Sequence, residues 1–316
     1  LGNRIAFTAD VYRRVSDDLI GMRSLPGENG FDYSTMNWAK LTNRGYELSL
    51  STVNVKTKDF RWVMDFNLAH NKSKINRLNV RDNSYEPSRE GYSVGAVFSL
   101  KTAGLDENGL QMFYNKQGEK VSFNDFFGLE YGYMMGGLIP FLKSNLSAEE
   151  YRNLFTYEGT TEPKFTGGWI NRFYYKNFDL TVSASFVLDQ TVQEQPFYNP
   201  VQTSPGQNYS RRMSQIWSPD NTSGKYPRIM GTYTEGEENW AYQWLGMLDP
   251  GNSYRKYDYW FKKMSYMRIN SIRLGYTFPE RLLGHIGFSS ARISFEARNP
   301  FVFGSSYKGY FDPETY

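Results

Sequence analysis

Histidine and cysteine, the residues that most often act as catalytic bases or zinc ligands, are scarce in this sequence. It contains two histidines, His70 and His285, and no cysteine. Neither histidine has a His or Cys neighbour at the short spacing of a zinc site, so no metal centre is predicted. A solvated or structural role suits both better than that of a catalytic base. The run Asp106-Glu107-Asn108-Gly109 lacks the alternating ligands of a calcium loop and is typical of a polar turn.

Other chemistries are also missing their usual residues. No glycine-rich loop is followed by Lys and then Ser or Thr, the pattern that cradles phosphates. The net charge of +3 is small, and the basic residues are spread along the chain instead of forming a patch for nucleic acid. The sequence therefore predicts no enzyme, no cofactor and no nucleic-acid partner.

Aromatic side chains are the best candidates for contact with a ligand. Phe, Trp and Tyr make up 17% of the chain, and several cluster between positions 240 and 260. Flat rings can stack on sugar faces or bury the side chains of a peptide. The alternative is that these rings pack their own loop against the rest of the fold or against a partner. The candidates for ligand or partner contact are Trp240, Tyr242, Trp244, Tyr254 and Tyr257.

In the segments expected to position these residues, apolar and polar side chains alternate with a period of two residues. Between Phe178 and Leu188 every second residue is apolar and the intervening ones are Asp, Thr or Ser, apart from Val187. About eleven such residues are enough for a tilted strand to cross a bilayer, whereas a sandwich strand usually has five or six. The pattern recurs at Ile5–Val11, Tyr46–Leu50, Phe60–Leu68, Ile272–Phe278 and Ala291–Ala297.

The connections between these strands alternate in length. Short turns are predicted at Ser16–Asp18, Lys56–Asp59, Lys176–Asn177 and Pro279–Phe288, and longer connections at 26–43, 71–163 and 190–263. Outer-membrane barrels alternate in this way, with short periplasmic turns and long extracellular loops. Within the second long connection, Ser147 and Glu150 fit a capping box that opens a short helix over 148–155.

The last predicted hairpin separates charged from apolar residues. Arg273, Arg292, Glu296 and Arg298 fall on one face, and the other face carries no charge over the same length. A charged face needs water, which is the outside of a sandwich or the lumen of a large barrel. The alternating connections favour the barrel, so we expect these four residues to face the lumen. Aromatic residues near the short turns predict an interfacial girdle: Phe60, Trp62, Tyr174, Tyr175, Phe178 and Phe278.

Several stretches together resemble a known family. The strongest is Met267–Pro279, followed by Asn299-Pro300-Phe301 and by residues 309–314. Earlier matching pieces are residues 10–20, 43–50, 60–75, 103–106 with 113–115, 166–168 with 175–180, and 217–221 with 226–228. In their order and spacing, over essentially the whole chain, they resemble the SusC-like TonB-dependent transporters of the Gram-negative outer membrane.

The resemblance implies a fold, a function and partners. The fold is an all-β, transmembrane antiparallel barrel of about 22 strands with a plugged lumen. About eight strands are expected in residues 1–316, as a carboxy-terminal portion without the plug, the early strands or the final strand. The implied function is TonB-dependent active import of oligosaccharides or peptides across the outer membrane, together with a SusD-like surface lipoprotein. TonB would act through the absent amino-terminal segment, and lipid would surround the barrel.

Two other functions remain open at this point. A secreted β-sandwich that binds carbohydrate would bury Phe186, Leu274 and Phe295 between two stacked sheets. A passive porin would share the strand pattern of the transporter but would need neither a lipoprotein lid nor TonB.

Overall fold

The computed structural model describes residues 4–25, 28, 30–31, 33–78, 85–134, 139–201, 203, 206–230, 244–249, 252–284, 287–304 and 312–315. Strands are numbered in chain order. Seven antiparallel strands form the main sheet, side by side in the order of the following list. They are β1 (Ile5–Ser24), β2 (Tyr33–Lys56), β3 (Phe60–Leu78), β11 (Phe165–Tyr175), β12 (Phe178–Gln193), β13 (Phe261–Thr277) and β14 (Arg292–Phe303).

Two long insertions lie at the same end of the strands, one between β3 and β11 and the other between β12 and β13. The described part of the first insertion (residues 79–164) contains two short helices and three small sheets. One sheet pairs β4 with β10, one consists of β5, β6 and β7, and one pairs β8 with β9. Their bounds are β4 Ala96–Ser99, β5 Thr102–Leu105, β6 Gln111–Tyr114, β7 Lys120–Val121, α1 Phe123–Phe126, β8 Leu129–Met134, β9 Ile139–Ser144, α2 Ala148–Arg152 and β10 Thr156–Thr160.

The described part of the second insertion (residues 194–260) contains short helical segments. Its 3-10 helices are Arg211–Gln215, Ser253–Lys256 and Asp258–Trp260, and Trp244–Leu248 forms a π-helix. Elsewhere, α3 (Glu280–Leu283) lies between β13 and β14, and a 3-10 turn covers Pro313–Thr315. No helix in the described part of the chain is both long and apolar enough to cross a membrane.

The predicted capping box is confirmed at the start of α2. Ser147 Oγ accepts a hydrogen bond from the Glu150 amide at 3.2 Å, and the Glu150 carboxylate accepts one from the Ser147 amide at 2.8 Å. These bonds satisfy amide groups that the first turn of a helix leaves without partners.

The strand register sorts side chains onto two faces. Residues that oppose each other directly share a face, so Leu180, Leu274 and Phe295 lie in one row across β12, β13 and β14. We call this side the apolar face and the other side the polar face. Leu274 and Phe295 are 48% and 72% exposed, so in the described part of the chain no second sheet covers them. The packing expected of a β-sandwich is therefore not present.

The apolar face has about the height of a membrane core. On β3 it runs from Phe60 through Trp62, Met64, Phe66 and Leu68 to His70. Ten residue steps of ~3.3 Å, at the ~40° tilt of barrel strands, span roughly 25 Å.

Aromatic rings lie on the apolar face at the end of the strands where the short turns are. Phe60, Tyr175, Phe178 and Tyr276 oppose one another in a single row across four strands. The Phe178 and Tyr276 rings are 4.6 Å apart. The girdle prediction fails for Tyr174, which opposes Arg61 on the polar face because it is one residue out of phase.

The predicted turn at Ser16–Asp18 is wrong. β1 continues through these residues to Ser24, and the register with β2 shifts between Ser16 and Leu19, which is a β-bulge. Asp18 has a φ of 52°, a conformation that Asp tolerates in bulges as well as in turns. Asp17 accepts a hydrogen bond from Lys40 Nζ at 2.6 Å on the neighbouring strand. The main sheet therefore has seven described strands, and the predicted first hairpin is one strand.

The apolar residues of the apolar face form a band, which on β3 runs from Phe60 to His70 and which we call the apolar band. The long connections are shorter than predicted because the strands extend beyond this band. β2 begins at Tyr33 instead of following Asn43, and β3 continues to Leu78. Both faces of these extensions carry polar residues, so they lack the alternation by which strands are recognised in sequence. The alternation of connection length holds only in part. At one end of the strands, 57–59 and 176–177 are short, and at the other end the two insertions are long, but 278–291 is longer than 25–32.

Two glycines allow side chains to cross over a strand. Tyr12 on β1 passes over Gly45 on β2 and donates a hydrogen bond to Asn71 Oδ1 on β3 at 3.2 Å. A Cβ on Gly45 would lie 2.4 Å from the Tyr12 hydroxyl oxygen and from the His70 carbonyl oxygen. Gly275 is crossed in the same way by an ion pair. These contacts link strands that are not adjacent.

We expect Gly45→Ala to lower the free energy of unfolding by roughly 1–3 kcal/mol, because the methyl group overpacks against backbone as well as Tyr12. A denaturant titration of the folded protein measures this. The control is Gly284→Ala, where the added Cβ has no neighbour within 4 Å and φ is −58°, so stability should be unchanged. Equal stability of the two variants would show that the Tyr12 crossing does not need Gly45.

Candidate functional site: the loop cluster and the polar face

The two insertions share one aromatic core, which we call the loop cluster. Phe127 of the first insertion lies 4.6 Å from Trp244 of the second, measured between ring centroids, and Phe113 lies 5.2 Å from Tyr257. The Leu100 amide donates to the Lys256 carbonyl at 2.8 Å. Its fully or nearly fully buried members are Leu100, Phe113, Phe123, Phe126, Phe127, Tyr151, Tyr198, Ile216, Met230, Trp244, Tyr254, Tyr257 and Trp260.

Three of the five predicted contact residues lie in this core. Trp244 and Tyr257 are each 1% exposed, and Tyr254 is 5% exposed. These rings pack the insertion, which is the alternative that the sequence left open. Trp244 and Tyr257 are enclosed by it, whereas Tyr254 also lines a cleft. Contact of these residues with a ligand or partner stays a prediction. Burial raises the pKa of the Tyr254 and Tyr257 hydroxyls well above the ordinary value, so both stay neutral. Trp240 and Tyr242 lie outside the described residues.

A cleft of about 710 Å³ opens beside the loop cluster. This volume is in the range of small-molecule sites, which are typically ~300–1,000 Å³. Its lining combines amides, two carboxylates and a guanidinium with apolar side chains, so it suits a polar ligand that has apolar parts. The lining residues are Gln193, Glu194, Gln195, Pro196, Phe197, Tyr198, Asn199, Val201, Leu245, Gly246, Asp249, Asn252, Tyr254 and Arg255.

The cleft wall is held in place by polar contacts. Asp249 accepts a hydrogen bond from the Tyr151 hydroxyl of the first insertion at 2.9 Å and another from the Ser253 amide. Tyr198 donates to the Pro227 carbonyl at 2.6 Å. The wall therefore depends on both insertions.

Arg212 anchors the opposite side of the cleft wall. Its guanidinium forms an ion pair with Glu194 and donates to the Tyr226 hydroxyl at 2.9 Å. It also lies 4.4 Å from the centre of the Phe197 ring, a cation–π contact. Glu194 and Arg212 side chains are only 12% and 21% exposed, so each depends on the other for charge compensation.

The four residues predicted to face a lumen all lie on the polar face. Arg273 opposes Glu296, and Arg292 pairs with Asp179 at 2.7 Å across the intervening Gly275. Glu296 and Arg298 lie 3.3 Å apart. Further along the same face, Arg172 pairs with Asp65, which also accepts a hydrogen bond from Ser51 at 2.6 Å. The polar face thus carries ion pairs between strands, and its facing a lumen stays a prediction.

The structure describes one of the two histidines, His70. His70 lies between the rings of Tyr46 and Phe165, and its Nδ1 is 2.5 Å from the Lys164 carbonyl oxygen. His285 lies outside the described residues. Among the residues that are described, no group of His, Cys, Asp and Glu could hold a metal ion.

Sequence reasoning missed the cleft because its main segment looks like an ordinary connection. Gln193-Glu194-Gln195-Pro196-Phe197 follows directly from a strand, and only the combination of amides with an aromatic ring sets it apart. Partners that complete the wall, such as Tyr151, Arg212 and Asp249, lie 15 or more residues away from this segment in the sequence, so no local pattern could reveal them.

Comparisons with known proteins agree with the fold. The TonB-dependent receptor P3 of Formosa agariphila is 27% identical over 99% of this chain and 29% of its own length. The TonB-dependent receptor SusC of Bacteroides thetaiotaomicron is 25% identical over 100% of this chain and 28% of its own length. Homologues of this chain are TonB-dependent receptors, SusC among them. No family model matches. The chain thus spans about three tenths of the length of these SusC-like relatives.

Solved structures give the same fold. The RagAB peptide transporter superposes with a TM-score of 0.68 at 20% identity, covering 98% of this chain and 31% of that one. The RagAB peptide importer in its open-open state gives a TM-score of 0.66. The prediction of a partial antiparallel β-barrel is confirmed, and the named relatives are receptors and transporters.

We expect Arg212→Met to loosen the second insertion by on the order of 3 kcal/mol, because it leaves Glu194 half-buried without its counter-charge. Hydrogen exchange of residues 211–226 measures this as loss of protection. Arg211→Met is the matched control, since Arg211 is an exposed neighbour. Unchanged protection in Arg212→Met would mean that the ion pair and the ring contacts do not hold the wall.

Proposed function

We propose that this chain is part of the barrel of an outer-membrane importer that takes up oligosaccharides or peptides, driven by TonB and working with a SusD-like surface lipoprotein. The observation that carries the proposal is the uncovered apolar face backed by a polar face of ion pairs. Apolar side chains on one side of every strand suit lipid, and ion-paired charges on the other suit a wet interior. The TonB-dependent receptors among the homologues support the coupling to TonB.

The loop cluster supports a role in ligand capture. It lies at the long-connection edge, which in outer-membrane barrels is the extracellular side. Its cleft offers Gln193, Gln195 and Asn199 for hydrogen bonds and Phe197 for apolar contact. Such a lining suits both sugar hydroxyls and peptide groups, so the proposed cargo classes are oligosaccharides and peptides.

A charge on the apolar face tests the lipid contact. We expect Leu50→Arg to destabilise the barrel in lipid vesicles by roughly 2–4 kcal/mol, because the guanidinium enters the hydrocarbon layer. The control is Ser49→Arg, one residue away on the polar face, which should be nearly neutral. Unfolding titrations of both variants give the difference. Equal effects would place water on both faces and contradict the membrane assignment.

Uptake in living cells tests the energy coupling. Cells carrying the full-length protein are given fluorescently labelled pools of short oligosaccharides or short peptides, with and without functional TonB. We expect one pool to be taken up, and only when TonB is present. Uptake that persists without TonB would favour the passive porin. A protein that is soluble without detergent and lacks heat-modifiable gel mobility would favour the secreted binding module.

A further inference from the structure

A row of basic side chains lies on the same face as the apolar band, immediately beyond its end on the side of the long connections. Arg13 on β1 opposes Arg44 on β2, and Arg44 opposes Lys72 on β3. All three side chains are exposed. Lys74, two residues beyond Lys72, is also exposed on this face. We call Arg13, Arg44 and Lys72 the basic row.

The basic row is not compensated within the described residues. No ion pair joins it to a carboxylate there, and Asp10 and Glu47 of the same strands oppose each other on the polar face. Basic residues further along these strands differ, since Lys40 pairs with Asp17 at 2.6 Å and Arg77 lies 3.4 Å from Asp18. Like charges on directly opposite positions of a sheet are destabilising, so an anion at this place would stabilise the sheet.

The position of the row indicates which anion. The next residues on this face toward the short turns are Val11, Tyr46 and His70, the end of the apolar band. Tyrosine at such a boundary is typical of the membrane interface. A ligand at this level has its acyl chains against the band and its head group at the row.

We infer that the basic row binds the phosphate group of a membrane lipid at the long-connection side of the barrel. Neighbouring strands are ~4.8 Å apart, so three cationic groups converge on about 10 Å of surface. Arginine presents paired N–H donors that fit phosphate oxygens, and lysine adds a point charge. The inference rests on the proposed function, since only a barrel in a membrane meets such a lipid on this face.

The binding test uses the full-length protein in a non-ionic detergent. Native mass spectrometry measures binding of phosphorylated lipid A, with dephosphorylated lipid A and inorganic phosphate as separate probes. The triple variant Arg13→Gln, Arg44→Gln, Lys72→Gln should bind phosphorylated lipid A roughly 100-fold more weakly, because each basic residue near a charged head group contributes about a factor of five. The control triple Arg14→Gln, Lys116→Gln, Arg211→Gln removes the same charge elsewhere and should bind like the wild type.

A stability measurement separates binding from a structural role. Without lipid, the basic-row variant should be at least as stable as the wild type, because repulsion between the strands is removed. Phosphorylated lipid A should raise the melting temperature of the wild type and of the control triple but not that of the basic-row variant. A purely structural role would instead lower the stability of the variant in every condition.

Three outcomes would overturn the inference: equal lipid binding by both triples, equal binding of dephosphorylated lipid A, or stabilisation by inorganic phosphate to which lipid adds nothing. Outer-membrane fractionation of the wild type is measured in parallel. Absence from that fraction would refute the proposed function, whereas its presence together with any of the three outcomes would refute only the lipid site.

Discussion

The whole sheet depends on one constraint, which is that strands with an apolar face must pair their backbone amides and carbonyls with those of neighbouring strands. Neighbouring strands meet this by continuous antiparallel pairing, as in the eleven successive pairs from Phe165 with Leu188 to Tyr175 with Phe178. Such pairing fixes the register, and a shift of one residue would move Leu180 and Val182 to the polar side. The sharp separation between the two faces follows from that register.

Cross-strand contacts on the polar face add to this pairing. Arg292 reaches Asp179 across Gly275, and Tyr12 reaches Asn71 across Gly45, so each links strands with another strand between them. Beyond the apolar band, the pairing between β1 and β2 is less regular. The bulge at Asp17 and Asp18 shifts the register of β1 beyond the apolar band, where a disturbed ladder can be hydrated.

The sequence predicted the secondary structure best in strands that have one apolar face. Alternation located Phe178–Leu188 and both strands of the last hairpin, and the capping box located α2, because both signals arise from neighbouring residues. It was misleading at Ser16–Asp18, since Asp suits a bulge as well as a turn, and silent over Tyr33–Asn43, where polar faces remove the alternation. The cleft and the burial of Trp244 and Tyr257 depend on contacts between distant segments, which no local pattern encodes.

The shared interior of the two insertions has a consequence for how such proteins diversify. Phe113 and Phe127 come from one connection, while Trp244 and Tyr257 come from the other, and all four are buried in one cluster. Replacing a single insertion with that of a relative would leave half of this cluster without its matching surface. An exchange that preserves the shared interior would therefore take both connections together, as one inherited unit.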